Sequence, residues 1–504
     1  MDNYNLDMPL IELVSSAGRG CFTVRHAIES CAIFGGIGSG KTSGSGRMLA
    51  LKYLSAGFGG LVLTVKPDEK AMWEEFCHLS GRINDLLVLE PGGTHYFNFV
   101  DYEASQVSGD DTLTDNVVDL LKTVIRAGQE QSGGKSDDPF WESALDMLIF
   151  HVIDLCKLAY GTVTVTRMFE IVQTIPKNSE GLQVEPGEKL KPFHMAFETA
   201  RNFVNSQIED WFSSLSPEDQ ERLKDDSVFE AEVVEALPDA RLLKHLDLFF
   251  VDTFIPLSDK TRGIIDFTFS GFLFKLLRDP VYSLFCRHRS TFTPEDSLTG
   301  KIILLNLPVK IYQKVGRDVQ ILFKYVWQRA MEKRDVKQNG RPVFLWADEA
   351  QNFIHERDAD FQATARSSRV ATVYISQNLP NYYACMGGHK SEYRVKSFLG
   401  TLGTKIFHAN ADIETNKYAS ELIGDAFFED QTESTTVSEN FSTTRGRSLK
   451  LERVVRPEEF GTLKTGGVLN NFRVSGYMHR QGDSIFNGQN HIKMHFNQNY
   501  QPQL

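Results

Sequence analysis

Short apolar runs rich in β-branched residues recur along the chain at Cys31–Phe34, Leu61–Val65, Leu86–Leu89, Ile302–Leu305, Val343–Ala347, Ala371–Ile375 and Thr404–His408. They are bounded by turn or helix signals and lack the alternation of a strand with one wet face. They therefore read as strands buried on both sides, as in a parallel sheet. Helical periodicity over Ser43–Ser55 and Arg317–Lys333 falls between such runs. Strand, helix and strand in that order make βαβ units, and the fold class that follows is α/β with a mainly parallel central sheet.

Between about residues 105 and 290 the pattern changes to long helical periodicities, such as Asp115–Ala127 and Phe140–Leu158, with an acidic loop at Pro217–Asp226. We expect three segments: 1–104 as the first part of the sheet domain, 105–290 as an all-helical insertion, and 291–504 as the second part. Polar, glycine-containing stretches at Gly128–Asp138 and Lys177–Lys191 read as exposed loops. The Ser/Thr/Glu-rich Glu429–Ser448 reads as a surface hairpin.

A chain of 504 residues with 41% hydrophobic content can bury a large core. A membrane-spanning helix needs roughly 20 mostly apolar residues, and Leu246–Leu257 is too short and carries Asp247 and Asp252. The N-terminus, with Asp2 and Asp7, lacks the basic-then-apolar order of a secretory signal. The expectation is a cytoplasmic protein without an integral membrane segment. Six scattered cysteines and the unclustered His78, His95 and His151 suggest buried thiols and no metal beyond magnesium. The net charge of -12 is uneven: residues 301–504 hold 27 Lys and Arg against 21 Asp and Glu, and the remainder 27 against 45. Any nucleic-acid contact is then local, as in a lined channel.

Gly35-Gly36-Ile37-Gly38-Ser39-Gly40-Lys41-Thr42 fits GxxxxGK[ST], follows an expected strand and opens an expected helix. Glycines let successive N–H groups curl toward phosphates, and the helix adds the positive end of its dipole. Lys41 suits the β- and γ-phosphates, and Thr42 suits a magnesium ion. The competing reading is a plain glycine-rich turn.

Val343-Phe344-Leu345-Trp346-Ala347-Asp348-Glu349 is an apolar strand ending in two acids. Charge there is expensive unless it meets a metal or partner. Asp348 can hold the magnesium shell and Glu349 can polarise the attacking water; alone, the pair would be a solvated strand end. Downstream, Arg366 or Arg369 can neutralise charge on the γ-phosphoryl group, and Gln377, ending the strand Ala371–Ile375, can sense it. By residue type these could equally be surface salt bridges and strand-end hydrogen bonds. Trp346 and Tyr374 read as core, whereas Tyr382 and Tyr383 are exposed candidates for base stacking.

These residues resemble the TraG/TraD family of type IV secretion coupling proteins, within the FtsK/HerA group of ring-forming motor ATPases. The P-loop, Phe140-Trp141-Glu142-Ser143-Ala144, Ala347–Phe353, Ala365–Arg369, Tyr374–Pro380 and Val455–Phe460 carry the likeness, spread over most of residues 25–475. It implies a RecA-like domain with an inserted helical domain, ATP and Mg2+ as cofactors, and a hexamer with nucleotide between neighbours and DNA in a central pore. It assigns Lys41, Thr42, Asp348, Glu349 and Gln377 to the subunit's own nucleotide and Arg366 to the neighbour's, with Arg369 as rival. Relaxase or secretion-channel proteins would be partners. Classical members begin with transmembrane helices, and about 30 residues precede the P-loop here, so attachment at the inner membrane would run through partners.

The leading function is thus an ATP-driven DNA motor. Alternatives are an ATP-regulated scaffold that recruits protein through the helical insertion, a HerA/FtsK-like DNA-processing or defence ATPase, and a small-molecule kinase, which the water-activating Glu349 disfavours.

Overall fold

The computed structural model describes all residues except 1–3, 16–17, 106–111, 131–138, 184–188, 288, 356, 387–390, 438–440, 483–484, 486–487 and 503–504. The chain forms two compact units, Met1–Leu89 with Pro294–Leu504, and Glu90–Thr293.

The first unit contains the strands, in chain order β1 (Pro9–Ser15), β2 (Gly18–Thr23), β3 (Cys31–Phe34), β4 (Gly59–Leu63), β5 (Leu86–Leu89), β6 (Ile302–Leu305), β7 (Val343–Ala347), β8 (Val370–Ser376), β9 (Thr404–Phe407), β10 (Asp425–Val437), β11 (Phe441–Arg453), β12 (Arg473–Arg480) and β13 (His491–Asn497). Nine form one sheet in the order β13-β12-β9-β3-β8-β7-β4-β6-β5. From β9 to β5 every pairing is parallel, and β12 and β13 join antiparallel at one edge. The expected α/β class is the one observed.

The inner strands follow from composition. β3, β4, β6, β7, β8 and β9 are buried at every position, which suits unbroken apolar runs and no others. Helices Arg47–Ser55 and Glu69–Leu79 supply Tyr53, Leu54, Trp73 and Phe76 to a core shared with Phe344 and Trp346. The Trp73 ring stacks on Phe344 at 5.6 Å and meets Trp346 edge-on at 5.4 Å. Gly60 is required for close approach, because a Cβ there would lie 2.6 Å from the Phe344 ring. Trp346 and Tyr374 are core, as expected. Tyr382 is not the exposed stacking candidate that residue type suggested: it is fully buried, with its ring edge-on to Phe34 at 5.9 Å. Its helix, Leu379–Met386, turns Leu379, Tyr382 and Met386 inward, whereas Tyr383 is half-buried.

The helix expected from Arg317 begins at Val309 and runs to Lys333, with a break at Gln313 (φ 48°, ψ -131°). It carries Lys324, whose ammonium is buried against both Asp358 oxygens (2.8 and 2.6 Å) and the Phe353 carbonyl (2.7 Å). That knot fixes the segment following β7. The expected surface hairpin is β10–β11, whose described residues are largely exposed, Phe427, Leu449 and Leu451 included.

The second unit is helical, built on Thr112–Glu130, Pro139–Tyr160, Val165–Thr174, Pro192–Ser214, Pro238–Asp247 and Asp259–Leu276. Hydroxyl caps start two of these helices: Thr164 accepts from the Arg167 N–H, and Ser258 from the Thr261 N–H. Phe193, Phe197, Phe250 and Phe254 interlock in its core. Among the described residues no single helix is long and apolar enough to cross a membrane. The cysteines are unbridged; three are buried, but Cys21 is exposed on β2 and Cys286 and Cys385 are half-buried, so the buried-thiol expectation holds for only part of the set.

Candidate functional site

The carboxyl ends of β3, β7 and β8 converge on one place. Leaving β3, the chain turns through Gly35, whose N–H donates to the Ser376 carbonyl (3.3 Å), and Gly36, whose N–H donates to the Ala409 carbonyl (2.8 Å). The P-loop is thereby pinned to the ends of β8 and β9. Gly38 and Gly40 have φ of 70° and 82°, and a Cβ on Gly40 would lie 2.4 Å from Val474 of β12. Only glycine meets both demands. Ser39 is buried, and Lys41 and Thr42 open the following helix, whose first turn, Thr42–Gly46, is a wide π turn. Ser45 contacts Nε2 of His408 at 2.7 Å, while Nδ1 of the same ring meets the Ser475 carbonyl at 2.9 Å. Burial pulls His408 down to about 4, so it is a neutral brace between P-loop helix, β9 and β12.

Thr42 donates its hydroxyl to Asp348 Oδ2 at 2.9 Å, and Asp348 Oδ1 accepts the Glu349 N–H at 2.9 Å. Glu349 turns out of β7 with φ 49° and ψ 49°, a left-handed conformation that costs a non-glycine residue energy and that the surrounding contacts hold in place. Its carboxylate lies 4.0 Å from the Lys41 ammonium. Gln377 Nε2 approaches its two oxygens at 3.3 and 3.4 Å, and Gln351 Nε2 donates to Oε2 at 2.9 Å. Gln377 is itself held by Asn410, which donates to its carbonyl at 2.8 Å. Asp348 and Glu349 are 2% and 8% exposed. A cavity of about 700 Å³ opens over these groups, lined by residues 37–43 with Lys66, Lys310, Glu349, Gln351 and Gln377.

Thr42 and Asp348 offer hard oxygen donors side by side at the start of a helix, as a magnesium ion bound largely through water and phosphate requires. Among the described residues no cluster of three or more His, Cys, Asp or Glu could hold a metal by itself.

Compared with known proteins, residues 342–465 match the family model described as the TraM recognition site of TraD and TraG. No curated protein matches the chain by sequence. Among solved structures it is similar to the plasmid coupling protein TrwB in complex with the non-hydrolysable GTP analogue GDPNP: 14% identity, 97% of this chain and 91% of that chain, TM-score 0.57. The TrwB complex with the ATP analogue ADPNP gives 14%, 97%, 91% and 0.53. TrwB with ADP and Mg2+ gives 14%, 98%, 91% and 0.51. At this identity the likeness establishes a shared fold.

The two arginine candidates lie away from the P-loop, near the amino end of β8. The Arg366 side chain is 64% exposed and forms an ion pair with Glu29 at 3.6 Å; Glu29 also holds Arg480 at 3.4 Å. Arg369 is occupied locally, donating to the Gly340 carbonyl at 2.5 Å.

Two further side chains join this cluster. Lys66 donates to Asp348 Oδ2 at 3.1 Å. Glu69 accepts the N–H groups of Val65 (2.6 Å) and Lys66 (3.2 Å). Burial, and then the Asp348 charge, push Glu69 up from 4.5 to about 8, against those two hydrogen bonds. A carboxyl with a higher pKa folded than unfolded supports the fold fully below 4.5 and loses that support as pH rises through about 8. Melting temperature should therefore fall as pH rises from 4.5 to about 8, and fall less in Glu69→Gln, which keeps an acceptor for both N–H groups. Equal slopes in the two proteins would show that Glu69 titrates normally.

Proposed function

We propose that the chain is an ATP-hydrolysing motor of the coupling-protein kind, a ring of six copies that moves DNA through its centre toward a transfer or secretion machinery. The observation that carries this reading is the convergence of Lys41, Thr42, Glu349 and Gln377 at one cavity, with Asp348 hydrogen-bonded to Thr42 beside it. In support, TrwB was solved with an ATP analogue and with ADP and Mg2+, and the matched family model is named for recognition of a partner, TraM.

In this reading the N–H groups of Gly40 to Thr42 cradle the phosphates, and Lys41 neutralises the β- and γ-oxygens. Thr42 and Asp348 hold the Mg2+ ion, which when bound draws charge from the phosphates and fixes their orientation. Glu349 accepts the proton of the attacking water, and Gln377, already aimed at Glu349, aligns that water with the γ-phosphate. Arg366 cannot serve the same nucleotide, because β8 separates it from the P-loop. The seven residues of that strand span about 20 Å, so the guanidinium is offered to a neighbouring copy.

The test is phosphate release with and without single- and double-stranded DNA, with particle mass measured on the same sample. DNA-stimulated release from a hexamer is expected. A DNA-indifferent monomer that still holds protein cargo would overturn the motor and favour an ATP-regulated scaffold.

A further inference from the structure

Two carboxylates side by side at a buried strand end need a positive partner. Asp348 finds one on the strand next to its own. Beyond β4 the backbone of Lys66 is anchored at its N–H by Glu69 (3.2 Å) and at its carbonyl by the Glu69 N–H (3.4 Å). From that fixed base the flexible stem lays its ammonium 3.1 Å from Asp348 Oδ2 and 3.9 Å from Glu349 Oε1. The side chain is 35% exposed and lines the cavity, so the ammonium has open space on its other side.

The oxygen that Lys66 holds is the one that matters. Asp348 Oδ2 also receives the Thr42 hydroxyl, so it faces the point where Thr42 and Asp348 would together meet a magnesium ion. A divalent cation and an ammonium sharing one carboxylate oxygen would sit within a few ångströms of each other and repel strongly in a partly buried site. Only one can keep it.

We propose, resting on the nucleotide-site reading above, that Lys66 is a built-in counter-ion that competes with Mg2+ for Asp348. When the metal takes Asp348, the ammonium swings on its stem into the cavity, where the phosphates lie, and joins Lys41 as a second cation on the nucleotide. Metal arrival is thereby coupled to tightening on the phosphates. Val65, next to it, accepts the Lys310 N–H at 2.9 Å, tying the same turn to the start of the Val309–Lys333 helix.

The test is the Mg2+ concentration giving half-maximal binding of a fluorescent ADP analogue to the full chain. Lys66→Met, which keeps length and removes charge, should lower that concentration about tenfold, and Lys66→Arg should stay near wild type. In wild-type protein carrying 13C-dimethylated lysines, the Lys66 resonance, assigned through Lys66→Arg, should shift when Mg2+ is added at saturating ADP. Equal half-maximal concentrations in Lys66→Met and wild type, or an unmoved resonance, would overturn the competition and leave the nucleotide site standing. If no protein binds the analogue at any Mg2+ concentration, the site reading falls and this proposal with it.

Discussion

Replacing Glu349 with Gln should leave ATP bound and slow its hydrolysis by about a thousandfold, the scale on which a positioned general base acts. The substitution is nearly isosteric. An amide oxygen can still accept from Gln351, 2.9 Å away, and the left-handed turn after β7 does not change. What disappears is the negative charge that the Lys41 and Lys66 ammoniums face at 4.0 and 3.9 Å, together with the carboxylate that Gln377 approaches. Without that charge the two lysines are freer to meet phosphate, so binding should hold or tighten while turnover collapses. Equilibrium binding measured beside steady-state phosphate release checks both halves. Turnover near the wild-type rate would remove Glu349 from the chemistry.

Arg366→Ala should abolish activity in a pure preparation, by a thousandfold or more if its guanidinium acts as a finger in a neighbouring site. It should do so without harming the fold, because the side chain is 64% exposed and its single surface ion pair with Glu29, at 3.6 Å, is worth little. The informative step is mixing. A Lys41→Ala subunit has a defective P-loop and an intact arginine, whereas Arg366→Ala has the reverse, so mixed rings contain some complete sites and regain part of the activity. If no mixing ratio restores turnover, or if Arg366→Ala alone stays active, sites are not shared between copies in this way. An unchanged melting temperature separates this loss from unfolding.

Much of this architecture was legible in the sequence. Inner strands of a parallel sheet must be apolar at every position, and Cys31–Phe34, Ile302–Leu305 and Val343–Ala347 match the observed strands end to end, as does Leu86–Leu89 at one edge. The edge was harder. β13 alternates polar and apolar residues over His491–Asn497, a period-two signal that stands apart from the parallel pattern, whereas β12, Arg473–Arg480, is buried beyond its first residue although half of its side chains are polar, so neither reads as an inner parallel strand. Within the site, the P-loop and Asp348-Glu349 could be found because their chemistry is local in sequence. Lys66 could not, since its partner lies 282 residues away and nothing near it in the chain requires a charge. Tyr382 misled for the same reason: whether a tyrosine of a short helix faces water or Phe34 is decided by packing.

The strand order has a consequence for how the chain is made. β3 pairs only with β8 and β9, β4 only with β6 and β7, and β5 only with β6. None of the central-sheet strands made before residue 90 can pair with another of them. The ribosome must pass Ile302 before the sheet can begin and Val370 before the P-loop strand gains its first neighbour; at about 5–20 residues per second that is a wait of tens of seconds. The helical unit, whose elements are contiguous in the chain, is synthesised during that wait. The P-loop is therefore translated long before it is supported. Until then Cys31–Phe34 remains an apolar strand with both edges open, the form in which a nascent chain most needs shielding.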